Sequence, residues 1–560
     1  MSKTVNKPIA GQMSHREILL VLVGLMSGMF LSALDQSVVG TAMRTIADHL
    51  HGLELQAWVT TAYLITSTIS TPIYGKLGDI FGRRRLFIFA ISIFVLGSAL
   101  SALSSSMIEL AGWRALQGLG AGGLFSLAIT VLSDIVPPRE RARYQGFFLA
   151  VFATSSVLGP VVGGLFSELP TWNGIDGWKW IFLMNIPIGA VALFMVWKFL
   201  HVPHTPVNHK VDWLGALTIV TGVVPMLLVA ENGREWGWGS TNSFLCYVIS
   251  VAGIIAFIFA ERAAKDEAIL PLKLFKNRTF SLSTILGVIV GIGMFGGMMT
   301  LPLLIQIVNG KTPTESGWLM LPMVAGMMAA TVVSGQVTSK TGKYRIFLIT
   351  GTGMLLAGYV SLFTYQYDTP VWVMSISMVI IGMGLGQLMQ TLTLAAQNSV
   401  EPQDMGVATS STMFFRQMGG TLGVAVFISI LFNRLPDAIT SAAKLKSVKD
   451  GAAAAGQEIM TKLKNGTIDA TDPNVVFLKE AAANPAALGD KLNGDSSFLN
   501  HLDPRLARPF LMGFADSAVV VFQWAAAVVA IAFVMSWFIK VAPLREKSAS
   551  AEAAAASAAH

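Results

Sequence analysis

The sequence predicts an all-α polytopic membrane protein with about fourteen transmembrane helices. Of its 560 residues, 53% are hydrophobic and 13% are charged, whereas a soluble protein carries about 25% charged residues. The mean hydropathy is +0.62. Apolar runs of about 20 residues, the length that crosses roughly 30 Å of hydrocarbon, recur from one end of the chain to the other.

The predicted spans follow these apolar runs in order. Six of them lie before residue 200 and six after residue 280, so we expect one six-helix bundle over 17–200 and a second over 280–541. A pair at 212–261 lies between the bundles as an insertion. The approximate spans are 17–39, 55–76, 86–106, 109–133, 143–166, 180–200, 212–231, 243–261, 280–308, 316–337, 346–366, 370–396, 405–432 and 509–541.

The loops between spans alternate in charge. Loops on one side carry acids such as Glu54 and Glu109 and few basic residues, whereas the other side carries most of the Lys and Arg. Basic loops stay in the cytoplasm, so we expect this side and the terminal segments 1–16 and 542–560 to be cytoplasmic. The net charge of +7 therefore indicates topology rather than nucleic-acid binding. The basic loops contain Arg83, Arg84, Arg85, Arg139, Arg141, Arg143, Lys198, Lys210, Arg262, Lys265, Lys273, Lys276, Arg278, Lys340, Lys343 and Arg345.

The turn after the second span combines small residues, one acid and a basic cluster. It runs from Gly75 to Arg85 with the sequence GKLGDIFGRRR. A similar run, from Gly335 to Arg345, follows the tenth span, with Ser339 at the position that corresponds to Asp79. This internal sequence similarity predicts two related halves of the chain.

The segment 433–508 is polar, rich in Ala and Lys, and falls on the outer side. Its stretch 438–464 has a helical composition, interrupted by Gly451 and Gly456 and ended by Asn465-Gly466. Long loops between spans are usually functional or disordered. Two interpretations stay open, a small ordered cap and a tethered flexible loop, and an extracytoplasmic partner could dock on either.

Two ionisable residues lie at membrane depth, where each costs about 2.5–3.5 kcal/mol on insertion scales. Asp35 is in the outer half of the first span. It is either a protonatable acid that lines a water-filled cavity, or a structural acid bonded to neighbouring backbone. Arg114 is in the fourth span and is either its cationic partner in proton coupling or a packing residue bonded to a carbonyl. A nearby cation favours the ionised acid, and burial favours the neutral acid. A change in the distance between Asp35 and Arg114 would therefore load and release a proton.

Other polar residues in the spans are weaker candidates. Asp516, in the last span, could assist proton transfer. Glu231 and Arg416 lie near span ends, where anchoring or pairing is the more common role. Four glutamines could hydrogen-bond either a substrate or a neighbouring helix. Three of them, Gln306, Gln387 and Gln390, are possible cavity residues, as is Gln36. The glutamines are Gln306, Gln387, Gln390 and Gln397.

Glycines and one proline mark two further spans. Gly118-x-Gly120-x-x-Gly123 matches a dinucleotide fingerprint, but no strand precedes it, so we interpret it as close helix packing. The fifth span contains Gly159-Pro160-Val161-Val162-Gly163-Gly164. Proline removes a backbone donor and bends a helix. This segment is therefore either a pivot that keeps the cavity sealed in one state or an ordinary membrane-helix proline.

The sequence offers no catalytic or metal-binding motif. None of the eight histidines lies in the core of a predicted span, and three share one cytoplasmic loop, where solvated residues are expected: His201, His204 and His209. The single cysteine, Cys246, excludes an intramolecular disulfide. Gly310-Lys311-Thr312 is not a phosphate loop, because Ile305 occupies the position of the leading glycine. We expect no metal, no cofactor and no enzymatic activity.

Together these motifs resemble a known family. The 75–85 turn, the Arg114 segment and the Gly159–Gly164 segment resemble three signature motifs of proton-coupled antiporters in the major facilitator superfamily. Leu34–Ala42 resembles the helix 1 motif of its fourteen-helix drug:proton antiporter branch, and Trp178–Gly189 is similar to that branch at helix 6. The resemblance implies the major facilitator fold, here two six-helix bundles plus two inserted helices. Two departures are Gly40–Arg44, where the branch commonly has Asn-Val-Ala-Leu-Pro, and the longer loop 433–508.

The resemblance also implies roles for individual residues. The acid of the 75–85 turn is held in the family by an Arg and by a second acid, here Asp79, Arg83 and Asp134. Together with Gly75 and Gly82 they would form a cytoplasmic gate that favours the outward-open state, beside a helix N-terminus that favours an anion. The helix 4 Arg is linked to proton coupling in the family, and the helix 5 motif is associated with exporters.

We therefore expect a proton-coupled antiporter of the cytoplasmic membrane that exports lipophilic, often cationic drugs by alternating access. The alternative is a dedicated exporter of an endogenous lipid, siderophore or antibiotic, which the long outer loop favours. Its partners would be small-molecule substrates, protons and the bilayer, without nucleic acid, and we expect it to function as a monomer.

Overall fold

The computed structural model describes residues 15–51, 55–169, 171–200, 212–401, 404–483, 499, 501–541 and 543–544. The chain is almost entirely helical over these ranges. The three histidines of the 201–211 loop lie outside the described residues, as do the terminal segments 1–14 and 545–560.

Nineteen α-helices follow one another in the described residues, and short 3-10 turns at Lys265–Glu267 and Leu362–Thr364 extend two of them. The helices are α1 His15–His49, α2 Gln56–Phe81, α3 Arg83–Ala102, α4 Met107–Ile135, α5 Pro138–Glu168, α6 Gly177–Leu183, α7 Asn185–Phe199, α8 Trp213–Trp236, α9 Thr241–Ala264, α10 Leu272–Phe275, α11 Arg278–Ile307, α12 Pro313–Leu319, α13 Leu321–Thr341, α14 Arg345–Ser361, α15 Val371–Asn398, α16 Met405–Lys444, α17 Lys446–Lys464, α18 Pro473–Ala483 and α19 Pro504–Ser536.

Twelve helical segments of the described residues are long and apolar enough to cross a membrane. Helices α2 and α5, of 26 and 31 residues, are comparably long but more polar, since Thr and Ser are frequent in α2. Each packs along an apolar helix, α2 on α4 and α5 on α1. The prediction of an all-α polytopic membrane protein is confirmed, and α2 and α5 account for the difference between twelve and the predicted fourteen.

Each half of the chain has its own apolar core. Buried side chains such as Phe87 and Leu124 join α1, α3, α4 and α7 in the N-terminal half. A second cluster, around Leu355 and Phe522, joins the helices of the C-terminal half. Many large apolar side chains outside these cores are exposed, as expected where a helix faces lipid rather than water.

The inserted pair, α8 and α9, lies at the seam between the two halves. Ile219 and Leu227 of α8 share an apolar cluster with Ile69 of α2 and Phe414 of α16. Ser250 of α9 donates a hydrogen bond to the Gly222 carbonyl oxygen of α8 at 2.6 Å. The insertion therefore contacts one helix from each six-helix bundle.

Two predicted spans are each divided into two helices. The sixth becomes α6 and α7, and the tenth becomes α12 and α13. Pro187 lies in the first turn of α7 and Pro322 in that of α13. Proline has no N–H to bond to the preceding turn, so each break falls where that hydrogen bond is missing.

A two-residue β-hairpin, which the sequence interpretation missed, precedes α6. Strand β1, Thr171–Trp172, pairs antiparallel with strand β2, Ile175–Asp176. The turn residues Asn173 and Gly174 both have positive φ, the conformation that Asn-Gly favours in tight hairpins.

The connection between α16 and α19 is an ordered cap where it is described. Helix α16 does not end near residue 432 as predicted; it continues to Lys444, and α19 already begins at Pro504. Both helices therefore extend beyond the predicted span ends at 432 and 509, and the Ala-rich residues after 437 have the helical composition predicted for 438–464. Ile459 of α17 and Phe477 of α18 pack into the core of the C-terminal half.

Helix α17 is anchored to α19 by charge as well as by packing. It runs through Gly451 and Gly456 without the expected interruption and ends at Lys464, before Asn465-Gly466 as predicted. Arg505 donates hydrogen bonds to Glu458 at 2.8 Å and to Asp503. These bonds hold the pKa of both carboxyls below the usual range.

The glycines of α4 let it approach α2 closely. A Cβ atom at Gly122 would lie 2.3 Å from the Ser67 carbonyl oxygen, and one at Gly118 would lie 2.4 Å from the Tyr63 carbonyl oxygen. Both distances are far below van der Waals contact, so no larger residue fits without moving a helix. The interpretation of this segment as close helix packing agrees with the structure.

We predict that Gly122→Ala lowers the free energy of unfolding by about 1–3 kcal/mol, because overpacking forces the backbones apart. Gly112→Ala in the same helix is the matched control. Its new Cβ would meet no atom within 4 Å, and Ala is the better helix former by about 1 kcal/mol. Thermal unfolding in detergent should separate the two variants, and equal midpoints would contradict the packing argument.

Candidate functional site

A cluster of buried polar side chains surrounds Asp35 in the N-terminal bundle. Arg114 of α4 donates a hydrogen bond to Asp35 Oδ2 at 2.5 Å. Gln117, one turn later on α4, donates to Asp35 Oδ1 at 2.9 Å, and Asn185 of α7 donates to the same oxygen at 2.7 Å. The Arg114 guanidinium lies 4.2 Å from the ring centroid of Tyr63 on α2. Four helices therefore meet around one carboxylate.

The sequence predicts Asp35 and Arg114 as partners, and the structure brings them together. Gln117, Asn185 and Tyr63 were not predicted. Gln117 follows Arg114 by three residues and so lies on the same helix face, and Arg114 Nη1 also donates to its Oε1 at 2.7 Å. The three-residue spacing from Arg114 could have identified Gln117 in the sequence. Asn185 could have been identified as an amide side chain within an apolar run.

The Asp35 carboxylate is closed off from solvent in this conformation. Asp35 and Arg114 are each 1% exposed, so the expectation that Asp35 lines a water-filled cavity is not met in this state. The described partners of Asp35 are all side chains, which also disagrees with the alternative of bonds to backbone. Removing one partner of a buried ion pair lowers the stability by about 3–5 kcal/mol, because the other charge is left unpaired. Asp35 and Arg114 therefore depend on each other.

The fifth-span motif packs on α1 beside Asp35. A Cβ at Gly159 would lie 2.1 Å from Ser37 Oγ, and one at Gly163 would lie 2.8 Å from the Val38 carbonyl oxygen. A Cβ at Gly164 would meet nothing within 4 Å. Helix α5 continues through Pro160, whose side chain lies outside the described residues. Two of the three glycines thus hold α5 against the helix that carries Asp35.

The predicted gate residues form a second charged cluster at the basic end of the N-terminal bundle. Arg83 bonds to Asp79, and its Nε donates to Asp134 Oδ2 at 3.0 Å. Arg83 Nη1 donates to the Gly75 carbonyl oxygen at 3.3 Å. Gly82, with φ of 91°, ends α2 and begins α3 in a backbone conformation that favours glycine.

This cluster contacts the first turn of α16, which belongs to the other bundle. A Cβ at Gly406 would lie 2.6 Å from Asp79 Oδ1, and one at Gly75 would lie 2.0 Å from Ser410 Oγ. The partial positive charge of a helix N-terminus favours an anion, so Asp79 is attracted both by Arg83 and by the start of α16. The two bundles are therefore closely packed on the basic side.

Further bonds between the bundles were missed by the sequence interpretation. Arg141 of α5, 2% exposed, donates to Gln397 Oε1 of α15 at 2.6 Å. Thr71 of α2 donates to Gln417 Oε1 of α16 at 3.3 Å. Lys76 is also buried and lies among Asp79, Asp404 and Glu261. In the sequence, Arg141 was only a topology signal and Lys76 only a member of the 75–85 turn, because their contacts include residues distant in sequence.

The remaining predicted residues do not join either cluster. Asp516 of α19 is exposed, and the charged group that acts on it is Arg434 of α16. Gln387 bonds within its own bundle, accepting from Thr350 Oγ1 at 2.6 Å. Gln36 and Gln306 are half-buried, and Gln390 is 4% exposed.

Arg416 and Glu231 were expected to anchor a span end or to pair with another charge, and the structure describes only the Arg416 side chain. Arg416 is 7% exposed and makes no ion pair or hydrogen bond with the described residues, so it neither anchors nor pairs. The Glu231 side chain lies outside the described part of the chain.

Comparison with known proteins agrees with this architecture. The sequence model of the Major Facilitator Superfamily matches residues 25–424. The chain is 35% identical over 540 residues to the "Multidrug transporter protein MdtP" of Bacillus subtilis, covering 96% of each chain. It is 33% identical to "Multidrug resistance protein 3" of the same species over 75% of this chain and 81% of that one. The "Efflux pump FUS6" of Gibberella fujikuroi is 31% identical over 74% of this chain and 75% of its own length.

Solved structures share the fold at low sequence identity. The proton:xylose symporter XylE bound to 6-bromo-6-deoxy-D-glucose superposes with a TM-score of 0.55 at 13% identity, over 96% of this chain and 99% of that chain. The human organic anion transporter MFSD10 gives a TM-score of 0.54 at 13% identity, over 74% and 93% of the two chains. With the family match and the helical architecture, these findings show that the chain is a multi-pass membrane protein that belongs to the major facilitator superfamily.

Proposed function

We propose that the protein exports lipophilic, often cationic compounds across the cytoplasmic membrane in exchange for protons. The enclosed Asp35–Arg114 pair is the observation that carries this proposal, since it places one titratable acid in a site sealed from water. The relatives that are named multidrug transporter and efflux pump support export of drugs. The basic side would be cytoplasmic, and both termini would lie there.

Asp35 would serve the proton and the cation in turn. With Arg114 bonded to it, the carboxylate is neutralised and needs neither ligand. A proton that arrives from outside would remove the charge and weaken the bond to Arg114. A lipophilic cation that arrives from inside would compete with Arg114 for the same oxygens. One carboxylate cannot bind both at once, which couples the two fluxes in opposite directions.

The gate cluster would control the side from which Asp35 is reached. Its packing on α16, with the Arg141–Gln397 bond, closes the basic side in this conformation. If the basic side is cytoplasmic, this conformation is closed to the cytoplasm. Rocking of the two bundles would break these contacts and open the site inward.

We predict that Asp35→Asn abolishes ethidium transport driven by a pH gradient in proteoliposomes. The variant leaves Arg114 buried without its ion partner, so we also expect a loss of stability of about 3–5 kcal/mol. The double variant Asp35→Asn with Arg114→Gln should recover stability but not transport. Asp437→Asn, an exposed acid on α16, is the control. Full uphill transport by Asp35→Asn would show that Asp35 is not the coupling site.

We predict that Arg83→Gln opens the basic side, because Asp79 and Asp134 lose their shared cation. Spin labels at Phe81 and Thr341, exposed on the basic ends of α2 and α13, would measure the distance between the bundles. The distance distribution should shift to longer values, and gradient-driven transport should fall at least about tenfold, since 1.4 kcal/mol already changes an equilibrium tenfold. Arg85→Gln removes an exposed charge from the same turn and should leave both readings unchanged. An unaltered distance in Arg83→Gln would exclude the gate role.

A second candidate is a dedicated exporter of one endogenous lipid, siderophore or antibiotic. It is favoured by the ordered outer cap, whose helices α17 and α18 pack on α19 and present a polar surface outward.

Under the leading proposal, replacing residues 446–498 by a short Gly/Ser linker should leave ethidium transport unchanged, because the described cap helices pack on the C-terminal half, whereas Asp35 lies in the N-terminal bundle. Transport in proteoliposomes, with monodisperse protein on gel filtration as the control, checks this. Loss of ethidium transport by folded protein would instead assign the cap a role in substrate handling.

A further inference from the structure

A hydrogen bond fixes how α15 and α16 face each other. Gln397 Nε2 of α15 donates to Thr409 Oγ1 of α16 at 2.8 Å, near the basic ends of these antiparallel helices. Seven residues make about two helical turns, so residues seven positions further from the connection return to the same face. Those residues are Gln390 on α15 and Arg416 on α16. Helical periodicity would therefore place Gln390 and Arg416 in the same layer of this helix pair.

Both side chains are buried and unsatisfied. Gln390 is 4% exposed and Arg416 is 7% exposed. Gln390 Oε1 and Arg416 Nη1 are enclosed and have no hydrogen-bond partner within the described residues, and the two do not bond to each other. A buried acceptor and a buried donor thus occupy the same layer of one helix pair without a partner.

Arg416 differs in this respect from the other buried arginines of the described chain. Arg83 bonds to two carboxylates, Arg114 to Asp35 and Gln117, and Arg141 to Gln397 and two backbone carbonyls. For Arg416 no charged group acts against the burial of its guanidinium. A buried charge without a partner costs several kcal/mol, and ionisable residues at membrane depth mark substrate pathways.

The surroundings place Arg416 where the two bundles meet. It lies about 16 Å along α16 from Met405 at 1.5 Å per residue, which is near mid-membrane. The adjacent Gln417 accepts the hydrogen bond from Thr71 of α2, in the N-terminal bundle. The Arg416 backbone is closely packed, because a Cβ at Gly291 of α11 would lie 2.2 Å from its carbonyl oxygen. The α16 backbone is thus held in place at Arg416, whereas its guanidinium Nη1 has no partner within the described residues.

We propose that Gln390 and Arg416 form a binding subsite for the carboxylate of an amphipathic substrate. The guanidinium would donate to the carboxylate oxygens in the forked geometry that Arg favours. The Gln390 amide would either donate through Nε2 to the second oxygen or accept at Oε1 from a neighbouring donor of the same molecule. The subsite rests on the proposed export function, and it extends the substrates from cations to acids and zwitterions. The acid group would be recognised in the C-terminal bundle, whereas Asp35 lies in the N-terminal one.

Rhodamine B and its ethyl ester provide the test, because the ester replaces the free carboxylate by a neutral group and keeps the same cationic ring system. Binding to the purified full-length protein in detergent is measured by fluorescence anisotropy, at equilibrium and without a pH gradient. We expect the wild type to bind rhodamine B at least about tenfold more tightly than the ester, the range for one hydrogen bond to a charged group. Arg416→Gln should remove this preference and leave binding of the ester unchanged.

Three further variants separate the subsite from general effects. Arg416→Lys keeps the positive charge without the forked guanidinium and should retain part of the preference for rhodamine B over its ester. Gln390→Leu keeps Arg416 and should reduce the preference for rhodamine B. This variant tests the proposed subsite even if Arg416→Gln does not fold. Lys444→Gln removes an exposed charge from the end of the same helix and should bind both dyes like the wild type.

The outcomes distinguish this inference from the proposed function. Equal binding of the two dyes by the wild type, or an unchanged preference in folded Arg416→Gln, would overturn the subsite and leave proton-driven export of cations unaffected. A carboxylate preference that depends on Arg416, without gradient-driven movement of any dye, would support the subsite and contradict the transport mechanism.

Discussion

The high cost of an uncompensated charge in a medium without water is the constraint that organises this structure. Asp35 is enclosed by Arg114, Gln117 and Asn185, and Arg83 is shared by two acids. Each of these clusters joins helices that are distant in sequence. In the N-terminal bundle Arg83 and Arg114 are therefore paired with acids, whereas in the C-terminal bundle Arg416 has no partner among the described residues. The halves share an architecture but differ in charge.

Close helix packing is what makes these charge clusters possible. The glycines of α4 bring its backbone against α2, and the same approach places the Tyr63 ring beside the Arg114 guanidinium. Gly159 and Gly163 bring α5 against α1 next to Asp35, and Gly75 and Gly406 bring the two bundles together at the gate. In each case, a missing side chain lets a polar group be sealed from water. Small residues and buried charges are thus two parts of one arrangement.

The sequence was sufficient for the fold and for the main residues of the N-terminal bundle. Apolar runs predict the helices, because a span must satisfy its backbone bonds internally, and an isolated Asp35 or Arg114 in such a run is conspicuous. The extent of α16, the ordered cap and the breaks at Pro187 and Pro322 depend on packing and on single missing bonds, which composition does not reveal. Gln117, Asn185 and Arg141 were missed because their partners are distant in sequence. The lack of a partner for Arg416 among the described residues depends on which side chains surround it, and the sequence does not show these.

Helix α16 has a consequence for the whole molecule, because its 40 residues extend about 60 Å. Its first turn contacts the gate on one side of the membrane, and beyond Leu435 it leads directly into the cap on the other. Any tilt of α16 at the gate is therefore coupled to a displacement of the cap, which is carried on the same rod. A molecule that clamps the cap, such as an antibody fragment, would therefore hold the two bundles in one conformation without entering the membrane.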